Sequence, residues 1–421
     1  MADKPNLILV FADQQHWQAV GVVDSYYRTP NWDRFACNAV RFSTVYCTTP
    51  LCSPSRASLM TGRMPHRTGV VDNGIHLREP TIAARLRQAG YQTAYFGKWH
   101  LGDHELATDG WDRKEGVYDE YRAPNRPLSD AETLAHARSF IEAVDDSRAP
   151  FALFISFDEP HGVYVAMPDS PYPRSHCAVP PPRPDTALPK SWQHEAGGDT
   201  IPHPYLPPAQ HAYWQSMHGE SEWRRYREIY ADRVAAYDSS LGHVLDTIEK
   251  RGLQDRSVIA VTADHGDMDT HHRLVFKGPL PYEQVQRVPL AIRAPGMSGS
   301  RTDSTSLVSL LDLHATLADY AGVDRGDGLS LRASLEQGAA HAREELVVQY
   351  PAPAIRTLRR GALKYTRYAG GRELLFDLAQ DPRELHNLCH SARYQHETRD
   401  MRVRLEQWCR RKDDRFGWEE Q

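Results

Sequence analysis

Short apolar runs that alternate with helical periodicities predict an α/β fold with a mostly parallel sheet flanked by helices. Two further observations shape that prediction. Several runs end in ionisable residues, at the strand ends where parallel sheets gather ligands. From about residue 340, closely spaced strands and turns replace the alternation, which predicts a small C-terminal unit of antiparallel sheet plus helix.

The first run, "NLILVFAD" (6–13), is continuously apolar and closes on Asp13, as a strand buried on both faces should. "EPTIAARLRQAG" (79–90) has helical spacing and leads into "YQTAYFGKWH" (91–100), a strand closing on Lys98 and His100. "FALFISFDEPH" (151–161) closes on His161. The stretch 225–252 is a long amphipathic helix whose Gly252 stands where a helix terminator is expected. "SVIAVTADHG" (257–266) then runs into Asp264 and His265.

Residues 168–208 carry 12 prolines together with Gly197 and Gly198, a density that no regular strand or helix survives. Such a connection reads either as a rim or lid beside a site or as a surface insertion. Trp192, Tyr205, Tyr213, Trp214 and Trp223, in or near it, could stack on a sugar face, although each reads more simply as core. After a helical segment at 307–322, the strings 345–351, 354–370 and 372–388 read as hairpin-linked strands, with an amphipathic helix at roughly 392–411. Domains are accordingly placed at 1–340 and 341–421.

At 421 residues the chain has ample core for one large unit and one small one. A formal charge of −5 gives no reason to invoke nucleic acid or an acidic membrane surface. The longest apolar runs, "LILVFA" and "FALFISF", are too short to span a bilayer. Cys37, Cys47, Cys52, Cys177, Cys389 and Cys409 form no CxxC and no dense framework; one or two disulfides fit the count, and the fold does not require them. "MADKPNLILVFAD" does not follow the order of a signal peptide, so the chain is expected to be cytoplasmic, or exported with its signal absent from this sequence.

One cysteine stands apart. In "TTPLCSPSRASLMTGRMPHRTG" (48–69), Cys52 precedes a helix expected to start at Ser53 or Pro54, so it would face free N–H groups that favour an anion. Arg56, one turn further in, could offer a forked cation to that anion. Taken alone, the same start equally suits a buried structural cysteine.

The longer string decides. Cys-x-Pro-x-Arg followed by "ASLMTGR" resembles the signature of type I sulfatases, of the alkaline-phosphatase-like superfamily. The resemblance also takes in "KPNLILVFAD", "TPNWDRFA", "AGYQTAYFGKWHLG", "DEPHGVY", "TADHGDM", "FKGPLPYEQVQRVPLAIRAPG" and "LLFDLAQDPRELHNL", eight blocks in the family's order over nearly the whole chain. It implies an alkaline-phosphatase-like fold, with a large mixed, mostly parallel sheet flanked by helices, and hydrolysis of an organic sulfate monoester of a carbohydrate or other small alcohol or aryl group. It also implies conversion of Cys52 to Cα-formylglycine by a maturation enzyme. A formylglycine hydrate carries two hydroxyls on one carbon, one to attack sulfur and one to collapse and expel sulfate, an exit that a serine ester lacks.

The resemblance assigns Asp13, Gln14, Cys52, Asp264 and His265 to a divalent cation, Ca²⁺ in most of the family. The commonest pattern has aspartate at 14 and asparagine at 265; the Gln and His here occur in branches resembling choline sulfatases and phosphonate monoester hydrolases, and an imidazole ligand also suits Mn²⁺ or Zn²⁺. Lys98 is expected to neutralise charge, His100 to act as the base that helps eliminate sulfate, and His161 or Lys277 to protonate the leaving alcohol. His272 is a weaker candidate because the usual "LGDH" reads "DTHH" here. Asn73 and His66 are expected around the site rather than in it. A phosphate or phosphonate monoester hydrolase is the alternative that Gln14 and His265 raise, and a catalytically silent binding relative is a third.

Overall fold

The computed structural model describes residues 4–102, 110–118, 130–166, 183, 186–193, 217, 219–297, 299–351 and 355–416. Eight strands form the main sheet: β1 (Asn6–Asp13), β2 (Val40–Tyr46), β3 (Gln92–Lys98), β4 (Arg113–Tyr118), β5 (Phe151–Pro160), β6 (Ser257–Ala263), β7 (Leu290–Arg293) and β8 (Arg301–Ser309). Their order across the sheet is β4-β3-β5-β1-β6-β7-β2-β8. The first five in that order run parallel, and β7 is antiparallel to both its neighbours, so the sheet is mixed but mostly parallel.

β1 lies at the centre with all eight residues buried, which explains its unbroken apolar run. Its register pairs Leu7 with Ala152 on β5 and with Val258 on β6, so three strand ends open at one level. The helix Glu220–Lys250 packs on β5 and on the helix Asp130–Ala143. It ends as the sequence indicates: Gly252 takes a φ of 63°, its N–H reaching the Glu249 carbonyl and that of Leu253 reaching Ile248. No helix among the described residues is long and apolar enough to cross a membrane.

A second sheet, antiparallel in the order β12-β11-β10-β9, comprises β9 (Glu345–Tyr350), β10 (Ile355–Arg360), β11 (Leu363–Tyr368) and β12 (Glu373–Asp377), followed by the helix Gln395–Arg411. Leu346 and Val348 of β9 are buried in the same core as the main sheet. The join is also ionic. Lys364 Nζ lies 2.8 Å from Glu283 and 2.6 Å from Glu384, and the Tyr46 hydroxyl donates to Glu283 at 2.6 Å, all buried. Each charge there has an opposite partner, the condition under which ions are retained in a core.

Cys37, Cys47, Cys52, Cys389 and Cys409 are all free thiols, so the described part of the fold stands without a disulfide. Cys177 and most of the proline-rich segment, with Tyr205, Tyr213 and Trp214, lie outside the described residues. Trp223 is core, 5% exposed among Tyr226, Ile229 and Phe276. Trp192 is half-buried, with Arg273 held 4.6 Å over its ring.

Candidate active site

The ionisable strand ends converge as their positions in the sequence predict. β3, β5, β1 and β6 are consecutive in the sheet, and Lys98, Asp158, Asp13, Asp264 and His265 stand at or just past their carboxyl ends. The helix Cys52–Thr61 points its N-terminus at this row, and the loop between β6 and β7 brings Lys277 back over it.

That helix starts earlier than expected. Leu51 is its N-cap and Cys52 its first residue, while Ser53 does not cap. The Ser53 hydroxyl instead donates to the His100 carbonyl at 2.6 Å, and its N–H is capped from a distance by the Asn73 side chain at 3.0 Å. Asn73 thus holds the helix start. His66 lies further off, bonded to Gln349 and to the Lys412 carbonyl.

Cys52 is wholly buried and ringed by polar and charged groups. Lys277 Nζ lies 2.6 Å from its sulfur, His265 Nε2 3.2 Å and Asp13 Oδ1 3.6 Å. Burial pushes the thiol up, but Lys277, His265, Lys98 and a hydrogen bond from His100 outweigh it and hold the thiol well below its ordinary value. Lys277 is in turn raised, burial being overcome by Cys52 and Asp13. The site is built to stabilise an anion at the tip of residue 52.

Lys98 and His100 do not share a strand face. β3 ends at Lys98, and His100 has a left-handed φ of 58°. That bend still sends both side chains inward: Lys98 Nζ lies 2.8 Å from Asp13 and 2.9 Å from Asp158. Asp158, unremarked in the sequence three residues before His161, links the two, with His161 Nδ1 3.8 Å away. Asp158 and His161 are the most open of these groups, their side chains 28% and 18% exposed.

Arg56 departs from expectation. Its Nε donates to Asp264 at 2.8 Å, Nη2 to Asp13 at 3.0 Å, and Nη1 to the Lys98 carbonyl and to Ser156 Oγ at 2.7 Å each. The fork is spent on protein acceptors, so Arg56 braces the carboxylates instead of facing an anion. Two buried carboxylates side by side demand such a brace. Burial and the Cys52 charge push Asp13 up, but Lys98 and Lys277 more than compensate and it stays far below the usual carboxylate range. Asp264 is raised by burial and by the charge of Asp13.

Asp13, Cys52, Asp264 and His265 each place one ligand atom within 4.8 Å of the others, a group that could hold a metal ion. The donor chemistry fits a cation: two carboxylates, a sulfur and an imidazole. His265 Nδ1 must donate to the Gly266 carbonyl at 3.0 Å, since a carbonyl only accepts, which leaves the Nε2 lone pair turned to the cluster. Gln14 differs from the other four. Its amide nitrogen donates to Asp267 at 2.5 Å, and its Oε1 is buried without a hydrogen-bond partner among the described residues. His272 is buried and stacks on Tyr282 with ring centroids 3.9 Å apart; it is not among the four clustered ligands.

A family model described as Sulfatase matches residues 5–323. The chain belongs to the sulfatase family. A second model, N-sulphoglucosamine sulphohydrolase, C-terminal, matches residues 271–411 of this sulfatase. The choline-sulfatase of Rhizobium meliloti is 30% identical to it over 93% of this chain and 83% of its own length. The Delta 4,5-hexuronate-2-O-sulfatase of Bacteroides thetaiotaomicron is 27% identical over 98% of this chain and 90% of its own. A solved 2-O GAG sulfatase superposes with a TM-score of 0.85 at 26% identity, covering 98% of this chain and 93% of the other. The phosphonate monoester hydrolase of Agrobacterium radiobacter shares the fold, with a TM-score of 0.77 at 23% identity over 97% of this chain and 96% of its own.

Proposed function

We propose that this sulfatase hydrolyses the sulfate monoester of a carbohydrate or other small alcohol, using a formylglycine hydrate that a maturation enzyme makes from Cys52. The observation that carries the reading is the convergence of Lys277, His265 and Asp13 on Cys52 Sγ at a helix N-terminus. In the matured enzyme that sulfur position is taken by oxygen, and the Lys277 ammonium would favour an ionised hydroxyl there. The modified side chain supplies two hydroxyls on one carbon, one to attack sulfur and one whose collapse to the aldehyde releases sulfate.

The residues around it divide the remaining work. Asp13, Gln14, Asp264, His265 and residue 52 would hold a divalent cation, Ca²⁺ before Mn²⁺ or Zn²⁺, which supplies charge for the sulfate oxygens. Lys98 adds positive charge beside Asp13. His100, buried just past the end of β3, takes the proton from the second hydroxyl. Lys277 or His161 protonates the departing alcohol. Arg56 keeps the two carboxylates together. The 2-O-sulfatase and choline-sulfatase relatives support an alcohol ester of sugar or small-molecule size.

The test is the mass of the tryptic peptide Phe42–Arg56 from active protein, in which formylglycine at 52 registers as a peptide lighter than its cysteine form. Active protein whose peptide is entirely unmodified cysteine would overturn the nucleophile. A phosphate or phosphonate ester is the second reading, favoured by Gln14 and His265, and comparison of leaving-group-matched esters separates the two.

A further inference from the structure

We infer that Asp267, which belongs to none of the ligand positions above, is the positioning residue that turns the Gln14 amide so that its oxygen completes the cation site. The inference rests on the cation site proposed above. Every other polar group of Gln14 is committed. Its N–H donates to Asp264 Oδ1 at 3.0 Å, its carbonyl accepts from the Tyr230 hydroxyl at 2.8 Å, and its backbone is held at a φ of 73°. Only the side-chain amide has a choice, because it can face Asp267 with either end.

Asp267 removes the choice. A carboxylate accepts only, so the end that meets it at 2.5 Å must be Nε2, and Oε1 is sent the other way. The carboxylate is itself locked. Its Oδ1 accepts from the Asp269 backbone N–H at 2.7 Å, and the Tyr226 hydroxyl bridges both oxygens at 3.0 and 2.8 Å. Asp267 is fully buried and its acceptor capacity is used by these donors. The unpartnered Gln14 Oε1 is then a neutral oxygen held ready on the chain segment next to Asp13. Leaving a buried acceptor unsatisfied is costly unless something meets it, and a cation does.

The fixed donor at Asp269 makes an isosteric test possible. In Asp267→Asn the amide oxygen must face the Asp269 N–H, so its NH₂ faces Gln14. Gln14 then flips to accept, and turns N–H donors towards the cation. Ca²⁺ and Mn²⁺ titrations of the purified chain by calorimetry, with circular dichroism to show an unchanged fold, read this without turnover. Asp267→Asn should bind at least about tenfold more weakly than wild type. Gln14→Glu combined with Asp267→Asn should recover affinity, because a glutamate accepts from the asparagine with one oxygen and offers the other. Wild-type affinity in Asp267→Asn, or no recovery in the double variant, overturns the inference while the cation site stands. A wild-type chain that takes up neither ion removes both.

Discussion

Lys277 and Cys52, 225 residues apart in the chain, meet at 2.6 Å, the shortest approach to the sulfur of any group described around it. A cation at that distance can neutralise a nucleophile or hand a proton to a leaving group, and the two roles differ in their dependence on the leaving group. If Lys277 is the acid, Lys277→Ala should lower kcat by roughly a hundredfold or more on an alkyl sulfate and far less on an activated aryl sulfate, which leaves without a proton. Equal losses on both would transfer the acid role to His161 and leave Lys277 as fixed charge.

Cys52 should separate the two steps of the reaction. Cys52→Ala is expected to abolish turnover with little change in fold, since position 52 is the first residue of a helix and its sulfur faces polar groups rather than apolar core. Cys52→Ser should be sulfated slowly and then stall, because a serine ester has no second hydroxyl through which to collapse. Intact-protein mass after incubation with substrate reads the stalled adduct. Repeated turnover by the serine variant would refute the elimination step.

A third prediction concerns the far end of the same helix. His314 Nδ1 donates to the Leu59 carbonyl at 2.8 Å, and its Nε2 accepts from Arg85 at 3.1 Å. Protonating Nε2 would bury a second charge against a guanidinium. Burial chiefly, with Arg85, therefore pushes His314 down to about 4 from an ordinary 6.5. The unfolded chain binds the proton first, so the stability His314 contributes is complete above pH 6.5 and is lost as pH falls through about 4. Urea unfolding near pH 4.5 should show wild type losing about 2 to 3 kcal/mol, relative to its value at pH 7.5, that a His314→Asn variant does not lose. Parallel pH profiles for the two proteins would contradict the assignment.

These relationships differ in how far the sequence discloses them. β1 is legible to the residue at 6–13, because a central parallel strand must be apolar on both faces and its end must be polar. β5 and β6 follow for the same reason. β2, "VRFSTVY", is not, since its buried and half-buried positions interleave and its partners, β7 and β8, lie some 250 residues away. The site shows the same division. Its members are legible from motif and strand end, but their directions are not. Nothing local to "CSPSR" announces that Arg56 turns back to Asp13 and Asp264, or that Ser53 leaves capping to Asn73. Those are choices made by groups contributed from elsewhere in the chain. Asp158 and Asp267 stand in recognised strings yet carry no signal of their own, because a positioning residue is defined by what it holds.

The final prediction decides between the two ester classes. Matured protein is given a sulfate monoester and a phosphate monoester with the same leaving group, and kcat/KM is compared. Near neutrality the sulfate ester carries one negative charge and the phosphate ester nearly two. Lys98, Lys277 and the cation would attract the second charge, while Arg56, spent on Asp13 and Asp264, adds little towards the ligand. Two buried carboxylates beneath the same position oppose an extra charge. Tight binding of phosphate would in any case not be turnover, because only contacts that strengthen in the transition state raise the rate. A phosphorylated residue 52 must also be expelled through its remaining hydroxyl, from a dianion that leaves less readily than sulfate. Sulfate should therefore be preferred by at least about tenfold, roughly 1.4 kcal/mol of barrier. Equal rates, or a preference for phosphate, would install the phosphate and phosphonate reading and make Gln14 and His265 the residues that set it.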